Sequence, residues 1–261
     1  MRNSVFAIAL LVLTFACGAV WAADPVTTTY NWTGFYVGLN TGLGINNSDY
    51  SVRPTGDFLI APPDPYNSLR TNSGKLSDVA FTVGGQLGYN YQVGYLVFGL
   101  EVDLNYDGAD ESSYVNRPLP LTFPDVGNSI QTVKQQIDYF GTVRARFGFT
   151  PTDRLLIYGT GGLAYGEVSS TSNATSSNST VFPGNIDGSG SFSTAQTGWT
   201  LGAGCEYALT HNWSVKLEYL YIDLGSRSYT YSAQPPYSNY SYTTDLDTAQ
   251  HIIRVGLNYK F

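Results

Sequence analysis

The chain has 261 residues, among them 21 tyrosines and 28 glycines, and its 13 lysines and arginines against 20 aspartates and glutamates leave a net charge of −7. That balance argues against a nucleic-acid partner, whose phosphates are neutralised by lysine and arginine. Two histidines and two cysteines, without ligand spacing, argue against a metal centre, and nothing in the sequence asks for a cofactor.

The N-terminus reads as an export signal. Arg2 supplies positive charge, Val5 to Ala16 form a short apolar run, and Val20-Trp21-Ala22 places small residues before a cleavage point at Ala23. Residues 1–22 are therefore expected to be removed, and the run is too short for a transmembrane helix. Cys17 leaves lipid attachment as an alternative, but Thr14-Phe15-Ala16 fits that motif poorly. Cleavage would leave Cys205 alone, with no partner for an internal disulfide. Residues 23–34 are then a short periplasmic segment and residues 35–261 one domain.

That domain alternates in character with a period of two, the period at which a strand exposes its two faces. The first such stretch runs from Phe35 to Leu43. The second, Val79 to Tyr91, sets Val79, Phe81, Val83, Leu87, Tyr89 and Tyr91 against Thr82, Gly84, Gln86, Gly88 and Asn90. The third, Tyr95 to Asn105, sets Leu96, Phe98, Leu100, Val102 and Leu104 against Glu101, Asp103 and Asn105. The fourth, Ile137 to Phe149, sets Tyr139, Val143, Ala145, Phe147 and Phe149 against Thr142, Arg144, Arg146 and Gly148. The fifth, Leu155 to Val168, is glycine-rich and its facing is ambiguous. The sixth, Thr197 to Leu209, sets Trp199, Leu201, Ala203, Cys205, Tyr207 and Leu209 against Thr200, Gly202, Gly204 and Glu206. The seventh, Trp213 to Asp223, sets Trp213, Val215, Leu217, Tyr219 and Tyr221 against Ser214, Lys216 and Glu218. The last runs to Phe261, with Arg254, Gly256, Asn258 and Lys260 opposite an apolar face that ends in Tyr259 and Phe261.

Short connections at Gln92–Gly94, Thr150–Asp153 and Thr210–Asn212 alternate with long ones at Gly44–Asp78, Tyr106–Gln136, Ser169–Ala195 and Gly225–Asp247. Proline and Ser/Thr/Asn crowd the long ones, so they are expected to lack regular structure. The fold expected is all-β: an eight-stranded antiparallel up-and-down transmembrane β-barrel with long extracellular loops and short periplasmic turns. A soluble lipocalin-like barrel also alternates, but its apolar face points inward. Here aromatics gather at both ends of the apolar face. Tyr89, Tyr91, Phe147, Phe149, Trp213, Tyr259 and Phe261 mark the periplasmic end, and Phe81, Tyr139, Tyr219 and Tyr221 the outer end, as two membrane-interface girdles require.

The polar face then lines a lumen that side chains just fill. Glu101, Asp103, Arg144, Arg146, Glu206, Lys216, Glu218 and Arg254 fall there and are expected to pair, either as a plug or around a narrow pore. His251, with Asp223 near the same outer rim, could in principle serve a lipid A-modifying enzyme, but no serine of matching parity stands beside it. Asp107, Asp110, Glu111 and Asp125 are read as acidic loop residues able to bridge lipopolysaccharide phosphates through divalent cations, or simply as solvated ones.

Tyr30-Asn31-Trp32-Thr33-Gly34-Phe35-Tyr36-Val37-Gly38 resembles the opening strand of the small outer-membrane immunogenic proteins of alphaproteobacteria, an OmpA-like porin-superfamily group. Gly84 to Gln92, Gly99 to Asp103, Gly141 to Gly148, Gly161 to Gly166 and Val215 to Tyr221 continue the likeness, although Gly38-Leu39 stands where the family usually has Gly-Gly. The resemblance implies an outer-membrane barrel without a known reaction or ligand. It also implies that the assembly machinery of the outer membrane reads the final strand through Tyr259 and Phe261. Outer-membrane lipid and lipopolysaccharide are the other expected partners. The expected role is structural and surface-exposed, with a small porin as the alternative.

Overall fold

A computed structural model of the chain describes residues 30–57, 71–119, 127–178 and 184–261. The export signal and the lipid-attachment alternative at Cys17 lie outside the described residues. Eight strands follow one another: β1 (Gly34–Gly56), β2 (Asn72–Val93), β3 (Leu96–Leu119), β4 (Gly127–Thr152), β5 (Leu155–Asn178), β6 (Gly184–Ala208), β7 (Trp213–Ser232) and β8 (Tyr240–Lys260). Each pairs antiparallel with its sequence neighbour, and β8 returns to β1, with Val37 opposite Tyr259 and Ile45 opposite His251. Closure pairs every strand on both sides and removes the sheet edge that could not survive in lipid.

The faces follow the sequence alternation. Leu39, Leu87, Leu100, Phe147, Leu163 and Leu201 point outward and are exposed, while Glu101, Arg144, Lys216, Glu218 and Arg254 are buried inside. The fifth strand resolves the same way: Tyr158, Thr160 and Ala164 are buried in the interior and Leu163 stands out from the wall.

Among the described residues the long connections are largely strand, which corrects the expectation of irregular loops. All eight strands run 20 to 26 residues, about twice what a bilayer crossing needs. Ser169 to Asn178 illustrates why. Its inward positions Ser170, Ser172, Ala174 and Ser176 are small and buried, and its backbone continues the ladders to β4 and β6. Serine and threonine tolerate a strand whose backbone groups are already paired on both sides.

Above the outer rim the barrel splits. β2 pairs β3 only over Thr82–Val93, and β6 pairs β7 only over Trp199–Ala208, whereas the other six ladders continue upward. Two four-stranded sheets result, β3–β4–β5–β6 and β7–β8–β1–β2, facing each other as in a sandwich. Between them lies an apolar core that includes Val52, Leu76, Val133, Ile186, Tyr231, Tyr242 and Leu246. Bulges at Tyr106/Ala109, Ile137/Tyr139 and Asp223/Gly225 mark the transition. The second of these turns Ile137 inward, against its simple parity.

The other end is floored. Tyr30 and Trp32 pack with Val97, Leu156, Tyr158 and Ala208. The Trp32 amide donates to Gln92 Oε1 (2.8 Å), and the Lys260 ammonium lies 4.3 Å from the centre of the Tyr30 ring. The described part of the expected periplasmic segment, from Tyr30 on, therefore folds under the lumen. Cys205 is 8% exposed on the outward face.

Candidate functional site in the barrel lumen

Five strands, β3, β4, β6, β7 and β8, bring eight charges together in the lumen. Arg144 Nη2 contacts Glu101 and lies 2.8 Å from Asp103, while Nη1 reaches Glu218 across the lumen at 3.0 Å. Arg254 closes the same ring, with Nη2 2.6 Å from Glu218 and 3.0 Å from Asp103. Lys216 donates to both oxygens of Glu101 at 2.9 and 3.1 Å. Arg146 Nη2 donates to Glu206 at 2.8 Å. The side chains of Glu101, Asp103, Arg144, Lys216, Glu218 and Arg254 are all 0% exposed.

Four carboxylates and four cations cancel, so the excess negative charge of the chain lies elsewhere. The cancellation matters physically, because an unpaired charge so deep would cost several kcal/mol, whereas these each have two or more partners. Asp103 accepts from Thr142 (2.7 Å) and Asn105 (2.8 Å) as well as from the two arginines. Glu206 accepts from Ser214 (2.5 Å) and Asn258 (2.7 Å).

Two residues were not singled out from the sequence. Tyr36 donates to Glu101 (2.7 Å) and accepts from Arg146 (2.8 Å). Tyr158 donates to Glu218 (2.9 Å), and the Arg146 guanidinium sits 3.8 Å from the centre of its ring. Tyr36 could have been found by parity, since it alternates with Phe35 and Val37. Tyr158 lay in the strand whose facing was ambiguous. Their room comes from glycine: a Cβ on Gly204 would stand 2.6 Å from the Tyr158 hydroxyl.

A closed antiparallel barrel with apolar residues outside and a paired charge cluster inside is the arrangement that membrane immersion demands. The model of the outer-membrane protein β-barrel domain matches residues 8–261. The chain belongs to that family.

This barrel is an outer-membrane protein, and its relatives agree. It is 36% identical over 249 residues to the 31 kDa outer-membrane immunogenic protein of Brucella melitensis, covering 92% of this chain and 87% of the relative. It is 30% identical over 239 residues to a 22 kDa outer membrane protein of Rhizobium leguminosarum bv. viciae, covering 91% and 82%. Among solved structures it resembles the outer membrane protein OprG from Pseudomonas aeruginosa, with a TM-score of 0.53 at 13% identity, covering 89% of this chain and 98% of that one.

The outer-membrane barrel carries its aromatic residues in two outward belts. Phe35 meets Tyr89 (centroids 4.7 Å apart), Phe98 meets Phe147 (5.2 Å), and Trp213, Tyr259 and Phe261 follow one another at the periplasmic end; Tyr91 and Phe149 are exposed beside them. At the outer end Phe81 and Tyr139 are exposed and Trp199 packs on Tyr221 (5.2 Å). Tyr91 to Phe81 and Phe149 to Tyr139 each span ten positions, which matches the roughly 9–11 residues of a tilted crossing.

Tyr219 differs from its expected exposed place in the outer belt. It is outward but only 7% exposed, and its hydroxyl pairs with His251 Nδ1 at 2.7 Å. Asp223 bonds locally, accepting from the Gly225 amide (2.8 Å). Asp107 also departs from expectation. It faces the interior, 2% exposed and bonded to Gln250, because the β3 ladder continues past Asn105. Asp110 is exposed on β3 and Glu111 follows it on that strand, while Asp125 lies outside the described residues. No group of three or more metal-ligating side chains occurs among the described residues.

Proposed function

We propose that this barrel is a non-catalytic structural element of the outer membrane, with a closed lumen, that supports the envelope and holds a rigid two-sheet sandwich above the surface. One observation carries the reading: the balanced cluster of Glu101, Asp103, Arg144, Arg146, Glu206, Lys216, Glu218 and Arg254 is buried and mutually paired inside the barrel, with Tyr30 and Trp32 below it and an apolar core above. Ions crossing such a lumen would have to break paired buried charges and then pass an apolar layer. In this reading the aromatic belts settle against lipid and lipopolysaccharide, and the assembly machinery recognises the strand ending in Tyr259 and Phe261.

Single-channel recording on refolded protein in planar bilayers tests the closed lumen. The expected trace is flat. Stable, reproducible conductance steps would favour a small porin, a reading that draws on the polar lumen lining of Asn40, Gln86 and Asn258. A lipid A-modifying activity would require His251 to engage a nucleophile, whereas its Nδ1 is engaged by Tyr219. Identical lipid A mass spectra from cells carrying wild-type protein and His251→Ala are expected.

A further inference from the structure

The two sheets above the outer rim are tied together unequally. Along the β6–β7 seam the tie includes backbone: Gly188 bridges Ala233, and the Gln234 amide donates to the Asp187 carbonyl at 2.7 Å. Side chains add to it. Ser172 and Ser176 of β5 lie within hydrogen-bond distance of the Tyr229 and Tyr242 hydroxyls, at 2.6 and 3.0 Å. Across the seam Phe192 packs on Tyr229 with ring centroids 4.9 Å apart.

The β2–β3 seam is different. Above Thr82 and Asp107 no ladder or bridge joins these strands among the described residues. Both strands nevertheless continue upward, β2 beside β1 and β3 beside β4. A side-chain hydrogen bond spans the seam instead, with the Tyr50 and Ser113 hydroxyls 2.8 Å apart. Tyr50 belongs to β1 and reaches β3 by passing beneath Gly74 of β2, where a Cβ would stand 2.8 Å from its hydroxyl oxygen. Lower down, Gln135 donates to Thr248 at 3.1 Å and Gln250 donates to Asp107, so the base of the sandwich is held.

The closed arrangement also strands polar groups beside this seam. Asn46 and Ser48 on β1 and Thr82 on β2 are at most 1% exposed, and their side-chain polar atoms have no hydrogen-bond partner among the described residues. Buried polar groups are nearly always bonded to protein or water. An arrangement that lets water reach these three is favoured by each of them.

We propose that the sandwich opens like a hinged pair of plates, with the β6–β7 seam as the hinge, the β2–β3 seam as the mouth and the Tyr50–Ser113 bond as the latch. Each sheet moves as a rigid unit. The charge cluster lies below the held base, so the motion goes beyond the structural role and leaves the lumen closed. A backbone bridge with packed rings around it resists parting more than a pair of hydroxyls, whose bond water replaces at little net cost. Opening the mouth uncovers Val52, Leu76 and Val133 of the apolar core and wets Asn46 and Ser48.

Double electron–electron resonance on full-length protein refolded into lipid nanodiscs tests the motion. Spin labels carried on unnatural ketone side chains avoid the native cysteines. One pair is placed at Ser77 and Ser112, on the two lips of the mouth, and the other at Ser191 and Thr230, across the hinge; all four positions are exposed. The mouth pair should show two distances several ångströms apart, and the hinge pair a single narrow one. Tyr50→Phe keeps the ring and removes the latch. It should raise the longer-distance fraction at the mouth several-fold and leave the hinge pair unchanged, while the heat-dependent gel shift shows that the barrel still forms. A single narrow distance at the mouth in both proteins overturns the proposal. So does a mouth distribution that Tyr50→Phe leaves unchanged, or equal broadening at mouth and hinge, which would mean loose sheets rather than hinged ones.

Discussion

The guanidinium of Arg144 on β4 meets the carboxylate of Glu218 on β7, 3.0 Å away across the lumen. Neither is the other's ladder neighbour: Arg144 stands opposite Glu101 and Gly162, and Glu218 opposite Gly204 and Arg254. The bridge ties distant walls of the barrel together, and the same holds for Lys216, which leaves its neighbour Glu206 for Glu101.

Removing one member should be costly. Glu218→Ala leaves Arg144, Lys216 and Arg254 short of a carboxylate and should destabilise the barrel by about 3–5 kcal/mol, read from the urea midpoint in detergent. On the next residue the order reverses. Leu217→Ala should cost less, because lipid refills the gap, whereas Leu217→Arg should cost about 2–4 kcal/mol near the midplane. A harmless Leu217→Arg, with Lys216→Leu unable to insert, would mean the strand faces the other way.

The sandwich above the membrane depends on one close approach. A Cβ on Gly190 would lie 2.7 Å from Cβ and Cδ1 of Tyr231, whose ring also stacks on Tyr242 with centroids 5.8 Å apart. Apart from one isolated bridge between Gly188 and Ala233, side chains rather than a ladder close the seam there. Gly190→Val should displace Tyr231 at a cost of about 1–3 kcal/mol. Limited proteolysis of intact cells should then cut β6 or β7 while the membrane-embedded part resists.

Alkali should act on the same seam. Burial pushes the Tyr231 hydroxyl well above its ordinary value of 10.0, so the folded state favours the neutral phenol. A raised pKa contributes stability that is complete below the unfolded value and is lost as pH rises through it, so loosening should begin as pH climbs past about 10. Tyr231→Phe keeps the ring, has no proton to lose, and should reduce the alkaline sensitivity to protease. Equal sensitivity in both proteins would place the titrating group elsewhere.

Deleting Phe261 should lower the assembled protein more than its synthesis. The residue is 72% exposed and contributes one backbone bond, to the Phe35 carbonyl at 3.0 Å, so its loss should cost the finished barrel little. Pulse-labelling with the gel-shift readout separates the two effects. Equal folded yield with and without Phe261 would argue against its part in assembly.

Much of this was legible residue by residue. Alternation with a period of two assigned the faces of seven strands, because a strand has only two sides and the membrane accepts only one kind of residue on one of them. The same rule set the inward parity of Glu101, Arg144 and Glu218 and the outward parity of Phe81 and Phe149. It failed where glycine erased the contrast, in β5. It also failed where a bulge changed parity, at Ile137, and where serine and threonine looked like loop, from Ser169 on.

The sequence by itself determined which side chains face lipid and which face the lumen, since that depends only on neighbours one and two positions away. The tertiary structure alone decided that Arg144 meets Glu218, that Tyr30 and Trp32 floor the lumen, and that the ladders lapse at Thr82 and Trp199 to leave two sheets. Those outcomes depend on the stagger of eight strands around a closed ring, where partners lie tens to hundreds of residues apart. No local pattern carries that offset; it is set by the packing of the whole circumference at once.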